Sequence, residues 1–463
     1  MKRTSLVLTL LLTLILVGCT ATPLPTLVAT VSTEDLPTPL VTNTPVETLL
    51  PTPTLTVPVP TATLTISPLP SLPTETPTIV STRTIPFAPG SVIFTQTPKS
   101  KSSEPGPGLE IVDNLFWAIP GSQPDAWTIT PLPVGLVWEI HPSPDETTLA
   151  MRYIDNFQVE QLALYFLLNK QLIPVPDTEK FSDLSWWPDG QTVLYAKSAN
   201  LFSVDTSDLL VEALTDNPSP IDGEPYTYFT DLEVSPDGLW IATKVMRGIG
   251  LPDNGFLPTS RDLGLFDIEQ HQHVIVADNV GSYFVDLQWA VDSELFVFTH
   301  EHNKGLYVFD VNRLEVLTLG DDLVAPYFSN WSPNGQLLAY AHHTTLSLWD
   351  KQSRMSRELT QGEHISKPYW SPDGNYIAIG FRVEERAGIM LLDPATGEQQ
   401  EYLLGFSVDW LRWSPDNQWL VYPAGTALQV LSIADGISYL LLPSNEEMNP
   451  PQSVFWLHST IQE

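Results

Sequence analysis

From about residue 109 to 460 the chain is a succession of short apolar runs, rich in β-branched and aromatic residues and cut by turn residues. Gln336 to Ala341 (QLLAYA) is followed by Thr345 to Asp350 (TLSLWD) and then by Arg357 to Thr360 (RELT). Asn375 to Gly380 (NYIAIG) is followed in the same way by Gly388 to Asp393 (GIMLLD). Before the first run of each set stands one kind of turn: HPSPDE at His141, WWPDG at Trp186, VSPDG at Val234, WAVDS at Trp289, WSPNG at Trp331, WSPDG at Trp370 and WSPDN at Trp413. Pro-Asp-Gly and Pro-Asn-Gly supply the backbone conformations of a tight turn between two strands. Each unit therefore predicts a strand A, the turn, and strands B, C and D.

The turn residues Asp145, Asp189, Asp237, Asp292, Asn334, Asp373 and Asp416 are spaced by 44, 48, 55, 42, 39 and 43. Such a period fits one four-stranded blade per unit, and hence an all-β propeller. Two fragments remain outside the seven complete units. Asn114 to Pro133 reads as strands C and D, and Ser453 to Leu457 as a strand A. At a mean period of about 45 residues the segment holds seven to eight blades. Eight is the expectation, with one blade closed by both ends of the segment; seven with an additional edge strand is the alternative. The W-S-P-D-G turn and the strands after it resemble the TolB-type, WD40-like propeller family. Repeats 3 and 4 depart most, with Val234 for the tryptophan in one and Ala290-Val291 for Ser-Pro in the other.

The segment before the repeats has a different composition. Lys2 and Arg3, an apolar run from Leu6 to Val17 and then Leu16-Val17-Gly18-Cys19 come in secretory order. The run is short for a bilayer span of ~20 residues. Leu16, Gly18 and Cys19 match the lipobox of bacterial lipoprotein signals, and the resemblance implies cleavage before Cys19 and lipidation of its thiol. Residues 1–19 are thus a signal peptide by expectation, and the protein belongs outside the cytoplasm, in the bacterial cell envelope, touching the membrane only through its N-terminal lipid. Residues 20–107 are dominated by Thr, Pro, Leu and Val, with few charges. A stretch of this kind buries no core, and its prolines favour an extended spacer, so it is expected to be a disordered stalk. The propeller is then expected over residues 108–463. Cys19 is the only cysteine, which rules out disulfides and thiol chemistry beyond it.

The formal net charge is −33. Lys2 and Arg3 offset the slight excess of acid in residues 20–107, so the repeat segment carries essentially all of it. An acidic domain repels phosphate backbones, and nucleic acid is excluded as a partner.

No nucleophile elbow, phosphate loop, His-Glu-x-x-His or EF-hand loop occurs. The residue six before each turn Asp is Glu139, Asp183, Asp231 and Asp286 in four consecutive repeats, then Phe328, Lys367 and Trp410. Four carboxylates in one strand-A register predict an acidic arc at the mouth of the channel. It would either cap the backbone of the incoming loops, hold a hard cation such as Ca²⁺, or raise the pKa of its members. Mutual repulsion within that arc predicts that Asp231→Asn stabilises the metal-free protein. His300 and His302, and His342 and His343, fall at the B-to-C connections of repeats 4 and 5, where imidazoles can ligate a transition metal or simply face solvent.

The D-to-A and B-to-C connections share one face. That face carries the longest insertions, Thr215 to Phe229 and Met246 to Asp262, which read as recognition loops with Tyr226, Arg247, Phe256 and Arg261 as candidate ligand contacts. The expected function is a monomeric, noncatalytic propeller binding a protein or glycan, with no cofactor required. The alternatives are a metal-dependent polysaccharide lyase and a component of a TolB-like envelope complex.

Overall fold

A computed structural model describes residues 90–99, 113–155, 159–217, 221, 223–251, 255–281, 286–300, 305–320, 327–342 and 344–458. The signal peptide and lipobox lie outside these residues, as does residues 20–89 of the expected stalk. The described chain forms eight antiparallel sheets, one per blade, with no helix. Blades 1 to 7 follow the seven repeats. The first runs Leu136–Pro142, Thr148–Ile154, Glu160–Phe166 and Gln171–Pro174 as strands A to D. Strand A of blade 6 comes in two pieces, His364–Ile365 and Tyr369–Trp370, both paired with Ile377–Val383.

Blade 8 is closed by both ends of the propeller segment, and here the structure corrects the sequence. Its strand A is Gln452–Leu457, and its strands C and D are Leu115–Pro120 and Trp127–Leu132. Strand B between them is Ser91–Thr95, which pairs with both neighbours. The propeller therefore starts by Gly90, well before the boundary expected at residue 108. Ser91–Thr95 (SVIFT) is buried at every position because it is an inner strand covered on both faces. In sequence it is one short apolar run at the end of a Pro/Thr-rich stretch, too brief to be told from its surroundings.

The repeated turn is built by its own side chains. The Ser143, Ser235, Ser332, Ser371 and Ser414 hydroxyls donate to Oδ1 of Asp145, Asp237, Asn334, Asp373 and Asp416 at 2.5 to 2.8 Å. The same Oγ atoms accept the backbone N–H that opens strand B, at 2.9 to 3.0 Å. The residue after the acidic one is left-handed in every repeat, whether Gly (Gly190, Gly238, Gly335, Gly374) or Glu146, Ser293 and Asn417. The Ser-Pro-Asp-Gly signature is thus a strand-reversal device.

The tryptophan three residues before the turn Asp has a different task. Trp186, Trp289, Trp331, Trp370 and Trp413 each donate the indole N–H to a strand-A carbonyl of the preceding blade: His141, Glu233, Gln288, Asn330 and Tyr369. Trp456 of blade 8 repeats the contact on Arg412. These bonds of 2.8 to 3.3 Å set one register round the ring. Blade 3 has Val234 at this position, and the junction is made instead by Asp183 and Ser182 of blade 2, which bond the Leu232 N–H and the Phe229 carbonyl. Blade 8 meets blade 1 through His458, whose backbone N–H and Nδ1 both engage the Glu146 carboxylate. Strand A of each blade from 4 to 8 contacts strand A of the next, blade 8 touching blade 1, so these strands wall the central channel.

Candidate functional site

The four carboxylates of the predicted arc lie in four successive blades, but the structure gives each its own partners. Glu139 lies 3.0 Å from His141 Nε2 and 3.5 Å from Arg152 Nε. The hydrogen bond from His141 holds its pKa below the usual carboxylate range. Asp183 accepts the N–H groups of Leu184 and, across the blade junction, Leu232, both at 2.8 Å. Burial nevertheless pushes its carboxyl up to about 6. Asp286 accepts the N–H and the hydroxyl of Ser329 in blade 5, each at 2.8 Å, and pairs with Lys367 of blade 6 at 3.0 Å.

Asp231 departs from the series. It sits in a β-bulge of strand A with φ of 52°, and its carboxylate is 2.6 Å from the buried Lys244 ammonium of the adjacent strand. Among the described residues no group of three or more acidic, histidine or cysteine side chains is gathered in a way that could hold a metal ion.

The bulge sets Thr230, and not Asp231, opposite Lys244, and the carboxylate left on the channel side is Glu233, a residue that the six-residue register does not select. Glu233 feels Asp183 of blade 2 and Asp286 of blade 4, and across the channel His141 of blade 1 and Lys367 of blade 6. Its carboxylate has no hydrogen-bond or ion-pair partner among the described residues. The residue keeps exposed surface, yet it is crowded enough that desolvation, with help from Asp183, raises its pKa to about 7. The sequence signal for it is register: His141, Ser185, Glu233, Gln288, Asn330 and Arg412 are all polar at the fourth position before the turn Asp.

These two raised groups predict a pH dependence. The folded protein takes up protons at about pH 7 and 6, where the unfolded chain takes them up only near 4.5 and 3.8. Their contribution to stability is therefore fully present below the unfolded values and lost as pH rises through 6 and 7. The melting temperature is expected to climb on acidification from pH 8 to pH 6, and Glu233→Gln to flatten the upper part of that climb. Identical pH profiles for the two proteins would show that Glu233 titrates normally.

Two of the four candidate histidines, His300 and His342, are among the described residues. His300 ends strand B of blade 4, buried, with Nε2 3.2 Å from the Asp278 carbonyl and its ring against Tyr307. His342 ends strand B of blade 5, half-buried. His302 and His343 lie outside the described residues.

The insertions expected as loops are largely strand, which is a second correction. Strands A, B and C of blade 3 are Pro225–Val234, Trp240–Leu251 and Gly255–Asp267, of 10, 12 and 13 residues. Strand B of the other blades has five to seven. The extra length is a three-stranded ribbon rising ~15–20 Å from the face shared by the D-to-A and B-to-C connections. Its Gly and Pro residues signal loop in the sequence, yet Gly250 is needed as a strand residue: a Cβ there would stand 2.7 Å from the Ile221 carbonyl oxygen and 3.4 Å from the Tyr226 ring.

Tyr226 is half-buried in this ribbon, opposite Gly248. Arg247 is exposed but held by Asp262 at 2.8 Å, a carboxylate that also accepts from Ser260 and the Asn279 N–H. Arg261 is half-buried, its carbonyl accepting the Val280 N–H. Phe256 pairs with Gly250 through its backbone, and its side chain lies outside the description. Ile221 and Leu257 add exposed apolar surface.

No known protein-family profile and no curated protein matches this sequence. Among solved structures, dipeptidyl peptidase 4 of Porphyromonas gingivalis superposes with a TM-score of 0.52 at 12% identity, over 72% of this chain and 58% of that one. An oligogalacturonate lyase in complex with manganese aligns at 13% identity over 66% and 88%, with a TM-score of 0.44. TolB from Acinetobacter baumannii aligns at 15% over 69% and 81%, with a TM-score of 0.35. The chain spans less than two thirds of the peptidase. At such identities the shared property is the propeller fold, which hosts unrelated activities.

Proposed function

We propose that this protein is a noncatalytic binding propeller of the bacterial cell envelope, anchored through a lipid on Cys19, that takes a protein or glycan ligand on the face bearing the blade-3 ribbon. The observation that carries this reading is the ribbon itself. Among the described residues blade 3 alone lengthens three adjacent strands, and Arg247, Tyr226 and the apolar residues Ile221 and Leu257 are set on a paired scaffold where a loop would have to be ordered on binding. The blade junctions on either side are closed without it, so the extra strand length is not needed to complete the ring.

Replacing residues 248–259 with Asn-Gly joins strands B and C at ordinary blade length. The shortened protein is expected to melt within a few degrees of the parent and to lose tenfold or more in binding to glycan arrays and to isolated envelope proteins. Undiminished binding by the shortened protein, or no binding by the parent, would overturn the reading.

A further inference from the structure

The channel wall has two unlike halves. Blades 1 to 4 bring Glu139, Asp183, Glu233 and Asp286 to it, whereas blades 6 and 7 bring Lys367, Tyr369, Trp410 and Arg412. In a ring of eight, blade 3 stands opposite blade 7 and blade 2 opposite blade 6. Glu233 and Arg412 both lie four residues before their turn Asp, at Asp237 and Asp416, so they occupy the same strand-A register in opposite blades.

The cations of this domain fall into two groups, those neutralised by a carboxylate and those, such as Arg357 and Arg382, that bond the Pro394 carbonyl or the Ser407 hydroxyl instead. Lys244, Lys367, Arg152, Arg247 and Arg386 each reach a carboxylate at 2.6 to 3.0 Å. Arg412 has no carboxylate partner among the described residues, although Asp and Glu number 54 against 21 Lys and Arg. Its guanidinium instead lies 4.9 Å from the Tyr369 ring and 5.9 Å from the Trp410 ring, and one N–H bonds the Leu411 carbonyl at 2.9 Å. Its own carbonyl receives the Trp456 indole N–H. The side chain is thus held in place with donor capacity left over. A stacked, oriented guanidinium binds a carboxylate in two-pronged fashion with little ordering left to do. A simple anion would be turned away by the field of so acidic a domain, so the ligand has to bring positive charge with its carboxylate.

We propose that the channel binds a short zwitterionic peptide, its terminal carboxylate on Arg412 and its ammonium group toward Asp183 and Glu233. The site is separate from the ribbon and does not depend on what the ribbon binds. Ionisation sets the direction of its pH dependence. Glu233 faces Asp183, Asp286, His141 and Lys367 and loses its proton near pH 7, and Asp183 near pH 6, while the peptide's own α-amino group loses its proton at about pH 8, so affinity rises from pH 6 to a maximum between pH 7 and 8 and falls above it.

The test is calorimetric titration of the full chain at about pH 7.5, where Glu233 is largely ionised and the peptide amine largely protonated, with trialanine, N-acetyl-trialanine and trialanine amide. Free trialanine is expected to bind, and each blocked form to bind at least tenfold more weakly. Arg412→Gln is expected to weaken free trialanine at least tenfold and to leave the amide unchanged, while the backbone bond from Trp456 keeps the ring closed. If that variant melts early, Arg412→Lys serves in its place: the charge stays, the fork is lost, and affinity still falls. Absence of binding by trialanine at millimolar concentration, or equal binding of free and blocked peptides, would overturn the proposal. The ribbon-shortened protein is expected to bind trialanine as the parent does, which separates failure here from failure of the ribbon reading.

Discussion

A protein begun at Gly108 is expected not to fold, while one begun at Ser81 folds as the full chain does. The first lacks Ser91–Thr95, the strand that lies between Gln452–Leu457 and Leu115–Pro120. Val92, Ile93 and Phe94 are fully buried, and at ~1.5–3 kcal/mol for each side chain their loss removes roughly 5–9 kcal/mol. That is most of the ~5–15 kcal/mol by which a domain is ordinarily stable. Two strand edges would also open, exposing Val454 and Trp456 on one side and Trp117 on the other, and inviting aggregation. Soluble yield and near-ultraviolet circular dichroism of the two proteins decide the matter. A soluble, cooperatively melting protein from Gly108 would mean that blade 8 closes without its strand B.

Asp231→Asn is expected to destabilise the propeller by roughly 3–5 kcal/mol, because it removes the carboxylate that lies 2.6 Å from the Lys244 ammonium, a side chain only 5% exposed. This reverses the sign expected from an acidic arc, in which removing one carboxylate relieves repulsion. The substitution isolates the charge, since Asn tolerates the left-handed φ of this position as well as Asp does. Lys244→Met is expected to cost less, for Asp231 is nearer solvent and can recruit water. The double variant Asp231→Leu with Lys244→Met should recover much of the loss, except for the strain of a Leu at positive φ. Chemical denaturation of the four proteins measures these differences. A more stable Asp231→Asn protein would restore the repulsive arc.

Some of this molecule is legible from its residues in order. Blade number follows because most of the turns are wired within seven residues: Ser371 and Asp373 bond one another and the opening of strand B, so the motif and its spacing survive translation into structure. The all-β class, the eight blades and the assignment of Asn114 to Pro133 and Ser453 to Leu457 rest on such local patterns. Other features depend on residues far apart in the chain. Ser91–Thr95 becomes an inner strand only because a segment more than 350 residues later lies beside it. Asp231 leaves the arc because a bulge sets Thr230 in its place opposite Lys244, and period-two counting fails wherever the ladder slips. The opposition of Glu233 and Arg412 requires a closed ring of eight, for in a ring of seven no blade faces another squarely. Local hydrogen bonds are written in adjacent residues, whereas partners across a ring are chosen by closure, and closure is a property of the whole chain.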